Sequence, residues 1–181
     1  MHTNLISISR QFNRVNILIW LAILIGTLTL VLISFLLWRS GSIGKAIPAE
    51  ATFQNGIFIF VVGFLFVLAF FKRTRLIPER IVAKAGKERG KMLPAPLTGL
   101  MIEFGEPGAL FGQALLLMRK YYLIIWTLAE FAVLGGFILF IITLQFRTFA
   151  IFAVAGIYPL IINFPAISLI EKCRALVFTE K

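Results

Sequence analysis

Residues 121–170 read YYLIIWTLAEFAVLGGFILFIITLQFRTFAIFAVAGIYPLIINFPAISLI and hold two charges, Glu130 and Arg147. A helix that crosses a bilayer needs about 20 apolar residues at 1.5 Å of rise each. The stretch is long enough for two, at 121–144 and 148–170, joined only by Gln145, Phe146 and Arg147. So short a joint predicts a tight antiparallel hairpin.

Two more apolar runs lie upstream, at 15–38 and 53–71. The reading is therefore an all-α integral membrane protein with four transmembrane helices, a single domain over 1–181. Composition agrees. Of 181 residues, 60% are hydrophobic and 14% charged, and mean hydropathy is +0.95. Soluble domains run at roughly 45–50% apolar and about 25% charged. A soluble, disordered or nucleic-acid-binding chain is thereby set aside, despite a net charge of +10. The first run is too long for a signal peptide, whose apolar region is about 7–15 residues. The Ala49-Glu50-Ala51 triplet also lies too far beyond Trp38 to be its cleavage site.

Basic residues set the expected orientation. Lys and Arg number 15 on one side of the four spans and 3 on the other. The positive-inside rule places the first side, with both termini and the long loop between spans two and three, in the cytoplasm. The expected location is a membrane such as the bacterial inner membrane or its equivalent. Trp38, Tyr121, Tyr122 and Trp126 fall near span ends, where such rings favour the headgroup level.

The loop has two parts. Residues 72–91 read KRTRLIPERIVAKAGKERGK, with Lys72, Arg73, Arg75, Arg80, Lys84, Lys87, Arg89 and Lys91. Pro78 opens a short helix there, Glu79 suits its positive end and Gly90 stops it. The expected contact is anionic headgroups or an acidic partner. Nucleic acid is not expected, because the segment lacks stacking aromatics. Residues 97–118 are too apolar for a free loop and are interrupted by Glu103, Gly105, Glu106, Pro107 and Gly108. They read as two apolar arms around a turn, lying at the interface or re-entering the bilayer with Glu103 and Glu106 at the tip. A helix unbroken from Pro107 to Leu144 would measure about 57 Å, longer than any bilayer is thick.

Glu130 stands near the middle of its span. An ionisable group at that depth is costly, and its partner is worth naming. Counting outward from the hairpin joint puts Asn163 at nearly the same level, so the two form an expected intramembrane polar pair. Pro159 and Pro165 are expected to break the last span and to free the carbonyls of Ala155 and Ile161. Glu130 then either holds the hairpin by a hydrogen bond, meets a cation on another subunit, or binds a proton or cation as in transporters. Ala22 with Gly26, and Ala132 with Gly136, have the small-xxx-small spacing of close helix contacts. Cys173 sits between Lys172 and Arg174, whose charge would lower its pKa.

Catalytic chemistry is poorly provided for. There is one Cys, one His and no Asp, which leaves no thiolate cluster, no pair of haem-ligating histidines and no Ser-His-Asp triad. No catalytic residue, metal or cofactor is expected. The chain reads as an accessory, assembly or structural subunit of a larger membrane complex. The alternative is a homo-oligomeric carrier or channel built on Glu130. Its partners are then the lipid bilayer and other membrane subunits or further copies of itself.

The orientation has a direct test. Cysteines placed at Lys45 and Lys84 are expected to react with an impermeant maleimide from opposite faces of the membrane, and labelling of both from one face would refute it.

Overall fold

A computed structural model describes residues 2–41, 51–88 and 93–179. Lys45, Arg89, Gly90 and Lys91 lie outside the described residues. Among those described there are six helices and no strand. They are α1 (His2–Ser40), α2 (Ala51–Arg75), α3 (Pro78–Lys87), α4 (Ala95–Thr143), α5 (Phe146–Ile162) and α6 (Ile167–Thr179). Three of them, α1, α2 and α4, are long and apolar enough to cross a membrane. The pair α5 and α6, bent by 43°, makes a fourth if the two count as one span.

The helix limits differ from the run lengths in several places, and α4 extends far ahead of Tyr121. The helix α1 starts far ahead of Val15 because Leu5, Ser9, Phe12, Asn13 and Asn16 recur every three or four residues and are all buried. The last run is not one helix over 148–170. Pro159 is accommodated inside α5, whereas the stretch before Pro165 ends it. Tyr158 stays helical ahead of Pro159, whereas Phe164 ahead of Pro165 lies outside the helix.

Hydroxyls inside the apolar helices are satisfied locally. Ser9, Thr27 and Ser34 donate to the carbonyls four residues back, at 2.7, 3.0 and 2.8 Å. Such back-bonding lets a small polar side chain sit in an apolar helix without an orphan donor.

The chain forms two compact units. The first contains residues 1–18, 71–123 and 165–181, and so gathers the segments left over by the long apolar runs. Its α3 follows the expected pattern, with an extended Ile77, Pro78 at its start, Glu79 in the first turn and Lys84 and Lys87 in the last. Ile81 and Ala85 are fully buried, and α3 packs on α6. The expected turn in 97–118 is present at Gly105, with φ +61° and ψ −138°, a conformation reserved for glycine. Beyond it the helix runs unbroken to Thr143. The two arms meet closely, since a Cβ on Gly108 would lie 2.6 Å from the carbonyl carbon of Leu100. Phe178 of α6 sets its ring against Phe104 and Phe111, one on each arm, at 5.8 and 5.9 Å.

The second unit contains residues 19–70 and 124–164. Here α4 and α5 form the antiparallel hairpin that the short joint demands. The joint is Leu144, left-handed at φ +57°, followed by an extended Gln145. Gly136 lies against Phe152, and Gly156 against Ala129 and Val133. The helix α1 runs opposite to α5, with Trp20 beside Phe164 and Trp38 stacked on Phe146, each at 5.0 Å. It therefore runs in the same direction as α4. Of the small-residue pairs, Gly136 is used in this packing, while Gly26 has open space beside it.

The hairpin contact predicts a graded response to added methyl groups. A Cβ on Gly156 would stand 2.6 Å from the Ala129 carbonyl oxygen, whereas one on Gly135 meets nothing within 4 Å. Gly156→Ala is expected to lower stability by about 1–3 kcal/mol and Gly135→Ala to be neutral or slightly stabilising, read from thermal unfolding in detergent.

Candidate functional site

The polar groups of the second unit gather where α5 ends. A helix leaves its last carbonyls without intrahelical donors. Pro165 makes this worse, because it has no N–H to give. Four carbonyls around the break have found donors. Pro159 O accepts the backbone N–H of Asn163 at 3.1 Å and its side-chain Nδ2 at 2.8 Å. Ile161 O accepts the N–H of Phe164 at 3.3 Å. Leu160 O accepts Trp20 Nε1 from α1 at 2.8 Å, and Asn163 O accepts Trp126 Nε1 from α4 at 3.1 Å. The break is thus clamped from two other helices by indole N–H groups.

Glu130 and Asn163 do not share a hydrogen bond. Glu130 Oε2 is bonded instead to the Thr27 hydroxyl of α1, which is fully buried. The same hydroxyl reaches the Ile23 carbonyl. A hydroxyl has one proton for two acceptors. Asn163 is 4% exposed and its Oδ1 has no partner. The freed Ile161 carbonyl, expected beside Glu130, is taken by Phe164.

The remaining expected residues are dispersed. Glu103 and Glu106 are exposed on either side of Gly105. In the first unit Arg73, Arg75, Arg80 and Lys87 are exposed, and Lys72 and Lys84 are half-buried. The Lys84 ammonium lies 5.5 Å from the Tyr121 ring, and Arg80 donates to the Thr74 carbonyl at 3.0 Å. Trp126, Tyr121 and Tyr122 are buried rather than resting as surface anchors. The Cys173 expectation is reversed. Its thiol is buried, and burial, with the Glu79 charge adding to it, pushes the pKa up to about 12.

Three participants were not apparent from the sequence: Thr27, Trp20 and Trp126 as hydrogen-bond donors. Thr27 sits near the middle of its apolar run, much as Glu130 does in its own, and that shared depth was the available signal. Among the described residues no group of three His, Cys or Glu side chains could hold a metal ion. Comparison with protein families, with curated proteins and with solved structures finds no match to this chain.

The indole clamp carries a stability prediction. Trp126→Phe keeps most of the ring but leaves the Asn163 carbonyl without its indole donor, an expected loss of about 1–3 kcal/mol. Trp38→Phe, on a ring 53% exposed, is expected to change stability by less than about 0.5 kcal/mol, and equal losses in a denaturant titration would discount the clamp.

Proposed function

We propose that this chain is a non-enzymatic accessory, assembly or structural subunit of a larger membrane complex, spanning the bilayer four times with both ends in the cytoplasm. One observation carries the reading. The last carbonyls of α5, with that of Asn163 just beyond it, are capped by Trp20, Trp126 and the Asn163 and Phe164 amides. In carriers with discontinuous helices, such carbonyls are kept for the transported ion. Here they fasten helices together. Parallel α1 and α4, with α5 antiparallel to both, agree with the orientation drawn from the basic residues. The exposed Arg73, Arg75, Arg80 and Lys87 suit anionic headgroups on the cytoplasmic face. Large apolar side chains exposed along α2, among them Ile59, Phe66 and Phe70, suit lipid or a neighbouring subunit.

A second reading has its own support. The unpartnered Asn163 Oδ1 and the Glu130–Thr27 bond place acceptors within the same unit, as a proton- or cation-coupled homo-oligomer would need. Glu130→Gln separates the two. The subunit reading expects the chain to be extracted with unlike chains at fixed stoichiometry, seen by native mass spectrometry, and expects no pH-driven flux in liposomes from wild type or variant. A homo-oligomer whose flux is abolished by Glu130→Gln would overturn it.

A further inference from the structure

The first unit holds a cationic group that the proposed function leaves without a task. Arg119 stands on α4 just before the apolar run that begins at Tyr121. Its Nε donates to Asn16 Oδ1 at 2.9 Å, and its guanidinium carbon lies 4.1 Å from the Phe12 ring centroid. These two contacts fix the plane of the guanidinium from one edge and one face. Its terminal amino groups have no partner among the described residues, and no carboxylate there neutralises it. Partial burial removes hydration from the cation and pulls its pKa down. Asn16, which holds the Arg119 Nε, is itself 1% exposed, so the guanidinium is anchored from a buried side chain. A partly buried guanidinium held on one edge and one face, with its terminal amino groups open, is set up to receive an anion.

Beside Arg119 is a cavity of about 300 Å³, within the size range of small-ligand sites. Ile8, Phe12, Val15, Leu97 and Leu116 line it, with Arg119 at its wall. Its chemistry is therefore an aliphatic slot with a positive end. Asn16 and Arg119 each lie within a few residues of the start of a long apolar run, 15–38 and 121–144. Two helices thus present this pair where the chain changes from polar to apolar, the level of lipid headgroups. Arg10 and Arg14, both exposed, add positive charge on the same stretch of α1.

We infer that this cavity is a specific site for one acidic phospholipid, with its phosphate on the Arg119 guanidinium and an acyl chain along Ile8, Val15, Leu97 and Leu116. Arginine suits the task because its fork can give two parallel bonds to phosphate oxygens. The exposed cations of α3 would attract such lipids diffusely, by charge alone. The Arg119 cavity adds selection for a single molecule held by shape and directed donors.

The test uses the full-length protein, delipidated in detergent and titrated with phosphatidylglycerol, phosphatidylcholine or oleate, with bound lipid counted by native mass spectrometry. Wild type is expected to keep one phosphatidylglycerol at concentrations where phosphatidylcholine and oleate do not bind. Arg119→Gln is expected to weaken that binding about tenfold or more. Val15→Trp, which fills the slot and leaves Arg119 and Asn16 intact, is expected to weaken it similarly without loss of thermal stability. Arg75→Gln, on an exposed cation elsewhere in the unit, is expected to have no effect. Equal binding of phosphatidylcholine, preference for oleate, or unchanged phosphatidylglycerol binding in both Arg119→Gln and Val15→Trp would overturn the assignment.

Discussion

A backbone carbonyl away from water must find a donor, and a proline nearby removes the cheapest one. That constraint organises the second unit. The interruption before Pro165 leaves the end of α5 short of N–H groups. Trp20 and Trp126 supply two from α1 and α4, and Asn163 supplies a third from its own side chain. Each indole bond ties a different helix to the same few residues. The break that would weaken a lone helix becomes the point at which three helices are held in register.

Close packing then follows from side-chain size. The hairpin of α4 and α5 can approach because Gly136 and Gly156 present no Cβ to Phe152, Val133 and Ala129. That closeness brings dispersion contacts and leaves no space for a larger residue. Glu130, on the same face of α4 as Trp126 one turn away, meets Thr27 of α1. A polar group that is costly in an apolar helix thereby has a hydrogen-bond partner within the chain.

The first unit answers a different problem. Its segments lie mostly outside the apolar runs read from the sequence, yet they bury a core of their own. Ile81, Leu100, Phe111, Leu115 and Met118 are fully buried there. Gly105 reverses the chain between two apolar arms, and Phe178 covers both. The basic charge of α3 is carried on the outside of this core rather than on a free tether.

By itself the sequence determined the helical class, the long apolar runs, the tight joint at Gln145, the helix opening at Pro78 and the turn among Glu103, Gly105 and Gly108. These are local matters: run length, proline and glycine geometry, and charge at helix ends. It also singled out Glu130, because an acid in an apolar run stands out. Partner choice needed the tertiary structure. Depth counting pointed to Asn163, but hydrogen bonding depends on which faces of the helices meet, and that rotation comes from packing around Gly136 and Gly156. Asn163 turned back to Pro159, and Thr27 took the carboxyl. The roles of Trp20 and Trp126, the burial of Cys173 and the folding of residues 72–120 with both chain ends were decided in the same way, by contacts between residues far apart in sequence.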